Sequence, residues 1–119
     1  MSSAEVQRLY SRSIDDLYEE LGRSLVSGEY RKTATVTRQV AIGRGQGFVS
    51  GFSEILKAKI CDEWKYCNKR ADYGTFQSLA YATAPLISSV LGVPASTAMI
   101  VAIILIKVGI DDFCKCPSA

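Results

Sequence analysis

The sequence predicts an all-α protein, a compact bundle of four or five helices with an apolar helical hairpin near its C-terminal end. Three observations carry that expectation. Apolar residues recur at spacings of three and four along most of the chain. The single β-branched segment has no second strand to pair with, and a lone strand cannot satisfy its backbone hydrogen bonds. Finally, no charge occurs from Tyr73 to Ile106, between Asp72 and Lys107. A run of that length is buried either in protein or in lipid.

A length of 119 residues suits one domain and can bury a real core. With 48% apolar and 22% charged residues, the composition is that of a globular chain.

Ser2 and Glu5 form an S-x-x-E capping box. Val6, Leu9, Tyr10, Ile14, Leu17, Tyr18, Leu21 and Leu25 then predict one amphipathic, peripheral helix over about residues 3–27, capped by Gly28. Residues 30–42 hold Thr33, Thr35, Val36, Thr37, Val40 and Ile42, a run with strand propensity. Val36 and Val40 also fit a helical stripe, and the segment is expected to be helix. Over 46–67, Phe48, Phe52, Ile55, Leu56, Ile60 and Trp64 make one apolar helical face. Residues 68–74 are expected to be a polar connection ending at Gly74.

Thr75 to Leu91 predicts a helix kinked or broken at Pro85. Gly92-Val93-Pro94 is the hairpin turn, with Pro94 opening the next helix. Ala95 to Phe113 is apolar nearly all round, so it should be central or covered by a partner. Lys107 is expected to reach Asp111, four residues on, or solvent.

Small residues at spacing four are the candidate helix-packing or interface positions: Gly43, Gly47 and Gly51, then Ala80, Ala84 and Ser88, then Ala98 and Ala102. Their missing side chains let another helix approach closely. Each interior helix glycine costs about 1 kcal/mol relative to alanine, so three in one helix imply a packing reason, and Gly47 and Gly51 are expected at a close crossing. Gly43 to Gly47 lacks the G-x-x-x-x-G-K-[ST] pattern and follows no strand, so phosphate binding is not expected there.

Net charge is −3 over residues 1–29, +6 over 30–70 and −1 over 71–119. The acidic beginning and basic middle predict internal charge complementarity. Lys57, Lys59, Lys65, Lys69 and Arg70 are the candidate basic surface, with Trp64 and Tyr66 among them as stacking rings. Asp62 and Glu63 interrupt that patch, which favours an ordinary solvated face over nucleic-acid contact.

The absence of histidine removes the commonest general base, metal ligand and pH switch. Cys61, Cys67, Cys114 and Cys116 lack the usual zinc-knuckle spacings and are expected to be reduced thiols in a cytoplasmic protein. No cofactor, metal or small-molecule substrate is implied. Val93 to Ile106 is 14 residues long, short of the ~20 a spanning helix needs, which favours a protein-buried hairpin over a membrane one. The expected function is therefore a non-enzymatic helical interaction module, self-associating or serving as a small subunit of a larger assembly. A membrane-associated protein inserting residues 75–110 into lipid is the alternative, and a basic nucleic-acid-binding accessory protein a further one.

Overall fold

Ser2 starts the first helix by accepting a hydrogen bond from the Glu5 N–H at 3.3 Å. The computed structural model describes residues 2–26 and 36–117. Helix α1, Ser3–Ser11, buries Val6 and Leu9. It ends at Arg12, whose backbone is extended at ψ 156°. Helix α2, Ile14–Val26, then starts afresh, with the Ser13 hydroxyl accepting from the Asp16 N–H at 3.1 Å. The single helix expected over 3–27 is therefore two. Apolar periodicity continues across the break and hides it, while Ser13-x-x-Asp16 was the signal that would have shown it. Gly28 and the β-branched residues up to Thr35 lie outside the described residues.

Thr37 caps helix α3, Arg38–Gly51, by accepting from the Val40 N–H at 3.2 Å. Residues 38–42 are thus helical as expected, and so are Gly43 to Gly47. After Phe52 the chain continues as α4, Ser53–Lys57, and then as a wider π-helical stretch, Ala58–Glu63. Lys65 adopts a left-handed backbone at φ 61° and redirects the chain into α5, Tyr66–Lys69, and a 3₁₀ turn, Arg70–Asp72. The helix expected over 46–67 is thus segmented, and the expected polar connection is itself largely helical.

A reciprocal Thr75–Ser78 capping box opens α6, Phe76–Leu91. Pro85 lies inside α6 on an exposed side, and the helix continues past it rather than breaking. The break comes at Gly92, in the left-handed region at φ 68°. The Ser88 hydroxyl steadies this turn by donating to the Val93 carbonyl at 2.6 Å. Helix α7, Ala95–Val108, leaves at 119° to α6. Gly109, at φ 109°, ends α7 and separates it from the short α8, Ile110–Phe113, so the helix expected to reach Phe113 stops five residues early.

Helix α7 is the centre of the molecule. All nine residues from Thr97 to Leu105 are buried, under α6, α2 and α1. Burying so many aliphatic side chains, at about 1.5–3 kcal/mol each, is the main cohesive force of the fold. Leu17 and Leu21 of α2, Leu56 of α4 and Ile60 of the π-helical stretch complete the core. Helix α3 is outermost and rests chiefly on α2. The order α3, α2, α7, α6 gives a body of 50 × 30 × 22 Å.

Candidate interaction surface

Two of the three small-residue ladders are internal. Ala80, Ala84, Ala98 and Ala102 are all buried where α6 packs on α7. Ser88 is half-buried and serves the turn.

The glycine ladder behaves differently. Among the described residues, nothing beyond the adjacent residues and the helix's own nearby backbone lies within 4 Å of where a Cβ on Gly43, Gly47 or Gly51 would stand. The close crossing expected at Gly47 and Gly51 is not made among the described residues. Gly22 and Gly45 make it instead. A Cβ on Gly22 would lie 2.7 Å from the carbonyl carbon of Ala41, and one on Gly45 would lie 2.9 Å from that of Tyr18. The ladder faces away because α3 turns Ala41 and Gly45 toward α2. Ala41 and Gly45 are themselves four apart, a pair that the longer glycine ladder beside it masked, whereas Gly22 stands without a small residue at that spacing.

The outer side of α3 and α4 is consequently bare. Val40, Gly43, Arg44, Gly47, Ser50, Gly51, Glu54 and Ile55 are exposed, each three or four residues from another of them. Ile55 was expected on the inner face with Leu56 and Ile60. It is 44% exposed, and Val40 is 46% exposed. Hydrogen bonds run from Phe52 N–H to Phe48 O at 3.2 Å and from Leu56 N–H to Phe52 O at 2.9 Å, so the rod is nearly continuous through Phe52.

Acidic residues of α2 hold one end of α3. The Arg38 guanidinium donates to Asp16 at 2.8 Å and also to Glu19, and Arg23 donates to Glu19 at 2.8 Å. Hydrogen bonding from Arg38 lowers the Asp16 pKa, and hydrogen bonding from Arg23 lowers that of Glu19. Arg38 thus realises part of the complementarity expected between the acidic beginning and the basic middle of the chain.

The candidate basic residues do not form a separate patch. Lys59 pairs with Glu63 at 3.0 Å. Lys57 lies 5.5 Å from the Phe113 ring centroid, and Lys69 lies 5.5 Å from that of Trp64. Arg70 pairs with Asp111 at 3.0 Å and donates to the Pro117 carbonyl at 2.9 Å. Lys65 is exposed at the left-handed turn. Lys57 and Arg70 therefore hold the C-terminal tail.

The cysteines complete that clasp, and they correct the expectation of reduced thiols. Cys61 is bonded to Cys114 and Cys67 to Cys116, with Cα–Cα distances of 5.3 Å in both. The chain reversal at Gly109 brings the tail back to the π-helical stretch and α5. Sequence separations of 53 and 49 residues kept this proximity out of reach of any local pattern. Within the clasp the Tyr66 hydroxyl donates to Asp111 at 2.6 Å. Burial, and then that carboxylate, push the Tyr66 pKa up to about 12.

Lys107 also departs from expectation. Its ammonium turns away from Asp111 and donates to the carbonyls of Tyr10 at 2.8 Å and Arg12 at 2.6 Å. It also lies 5.2 Å from the Tyr10 ring centroid. A cation at the C-terminal end of α1 satisfies carbonyls that the break there leaves without helical partners.

A groove of about 780 Å³ runs between the first turn of α7 and the outer side of α6, lined by Ala84, Pro85, Met99 and Tyr81, with Glu5 at its edge. Among the described residues no group of three or more His, Cys, Asp or Glu side chains is placed to hold a metal ion. No single described helix is long and apolar enough to cross a membrane, although α6 and α7 pass that test as a bent pair. Comparison with known proteins finds no matching family model, no matching curated protein and no matching solved structure.

Proposed function

We propose that this chain is a non-enzymatic helical interaction module that associates with a second copy of itself through the outer face of α3 and α4. One observation carries the reading. That face presents exposed Val40 and Ile55 with three uncovered glycines between them. Glycines inside a helix each cost about 1 kcal/mol relative to alanine, and no crossing among the described residues offsets that. Close approach of another helix would.

Partner cover for the most apolar helix does not motivate association, because the chain covers Thr97 to Leu105 itself. The same burial weighs against insertion of the α6–α7 hairpin into lipid, since α1 and α2 would first have to leave it. The expected cytoplasmic setting went with reduced thiols. Paired cysteines persist where thiols are kept oxidised, so that support is lost.

Sedimentation analysis at micromolar concentration without detergent tests the reading. The wild type should be a dimer, and Gly47→Leu should be monomeric with an unchanged circular dichroism spectrum and melting curve. A wild-type monomer would refute self-association. Flotation of the wild type with liposomes would favour the membrane alternative.

A further inference from the structure

All four bridged cysteines are half-buried rather than enclosed, and the backbone beside them is strained. Lys65 and Lys115, at φ 61° and 55°, are the two non-glycine residues with positive φ among the described residues. Lys115 stands between Cys114 and Cys116, and Lys65 two residues before Cys67. A left-handed backbone is unfavourable for a residue with a Cβ and persists where its surroundings impose it. At Lys115 the bridges on either side impose it. The two bridges differ in access. Cys61 and Cys114 both line an open groove of about 410 Å³, where Lys57 and Lys115 balance Glu54 and Asp62. The second bridge reaches its own groove, of about 690 Å³, through Cys116 alone. There Arg70 is paired with Asp111, and Asp112 leaves the wall with a net negative charge. An attacking thiolate is an anion, so the first groove admits it more readily.

We propose that the two bridges form a redox latch on the tail, opened by dithiols in a fixed order, Cys61–Cys114 first, and that residues 112–117 come free only when both are open. In each step a thiolate of the dithiol bonds to one bridge sulfur, and the bond between the two cysteines breaks. The expelled cysteine leaves as a thiolate and takes up a proton. The second thiol of the dithiol, deprotonated, then displaces the other cysteine and closes a disulfide of its own. Two electrons thus pass from the dithiol to each bridge. A monothiol is less effective, because the expelled cysteine stays beside the mixed disulfide and reverses it. Opening one bridge leaves the other holding the tail two residues away. With both open, Arg70 at the Pro117 carbonyl and Lys57 at the Phe113 ring are left to oppose the strain at Lys115. Ile110 is buried and Asp111 is held by Tyr66 and Arg70, so these two residues stay in place as the hinge.

Timed treatment of the wild type with dithiothreitol, with thiols trapped by iodoacetamide and located by mass spectrometry, gives the order. Cys61 and Cys114 should be labelled about threefold faster than Cys67 and Cys116 at low salt, the effect of one unit charge at close range. That lead should shrink at high salt. Lys115→Glu should abolish it, because the first groove then becomes negative too. An equal thiol concentration of 2-mercaptoethanol should label far less. Hydrogen exchange in excess dithiothreitol reads the release. The amides of Cys114 and Cys116, which donate to the carbonyls of Ile110 and Asp111, should lose protection while Thr97 to Leu105 keep theirs. Cys61→Ser with Cys114→Ser, which retains the second bridge, should keep the Cys116 amide protected until the reductant is added. Labelling of all four cysteines together, or of Cys67 and Cys116 first, would overturn the order. Equal labelling by 2-mercaptoethanol would overturn the dithiol step. Tail amides still protected in the four-thiol protein, or a loss that spreads through Thr97 to Leu105, would overturn the latch.

Discussion

At the scale of single residues, Lys107 shows how far a side chain's partner can lie from its sequence neighbourhood. Spacing on one helix points it to Asp111, yet its ammonium reaches the carbonyls of Tyr10 and Arg12. The reason is the break before α2, which leaves carbonyl groups unpaired beside the end of α7. Lys107→Met should therefore destabilise the chain. Loss of two charge-assisted hydrogen bonds should cost about 1.5–3 kcal/mol in urea unfolding. An unchanged midpoint would show that water replaces the ammonium without penalty. Tyr66 gives a pH prediction. Its folded pKa of about 12 lies above the ordinary value of 10.0, so folding favours the protonated phenol. The associated stability is present below pH 10 and is lost as pH rises through 12. Tyr66→Phe should flatten that alkaline decline in denaturation curves recorded between those limits. An equally steep decline in the variant would assign it to other groups.

At the scale of elements, the helical character of most segments was legible from periodicity, and the caps at Ser2 and Thr75 confirm where two of them begin. The break at Arg12 was marked only by Ser13-x-x-Asp16, and apolar spacing that runs through Phe52 and Gly109 hid the other two. Glycine function was misassigned for a related reason. A ladder at spacing four shows that one side of α3 is smooth, but not which side meets α2. The structure turns Ala41 and Gly45 inward and leaves Gly43, Gly47 and Gly51 outward. Gly22→Ala and Gly45→Ala should accordingly destabilise the chain by about 1–3 kcal/mol or more, since the added methyl meets backbone rather than a movable side chain. Gly47→Ala should leave stability unchanged or raise it by up to about 1 kcal/mol. Guanidinium titrations of the three proteins at one low concentration decide it, and equal losses in all three would restore Gly47 to an intramolecular crossing.

At the scale of the whole molecule, the two disulfides tie residues 49 and 53 positions apart and hold the tail against the π-helical stretch and α5. Replacing either pair, Cys61→Ser with Cys114→Ser or Cys67→Ser with Cys116→Ser, should lower stability by about 2–5 kcal/mol, chiefly because the unfolded chain regains freedom. Urea unfolding of the oxidised wild type beside each variant measures this. Coincident curves would mean that Tyr66, Arg70 and Asp111 anchor the tail without the cysteines.

The helical class and the apolar hairpin around Gly92-Val93-Pro94 follow from composition and local spacing, because helix propensity, capping and amphipathicity act within a few residues. That Ala95–Val108 would be central was also legible, since a helix apolar on nearly every side has no stable place at a surface. Its cover is another matter. Whether α1, α2 and α6 or a second chain buries it depends on the volume that distant segments together enclose. The pairing of Cys61 with Cys114, the turn of Lys107 toward α1 and the outward direction of the α3 glycines are of the same kind. Each depends on where two remote segments meet, and that is set by how the apolar faces of all the helices are buried at once.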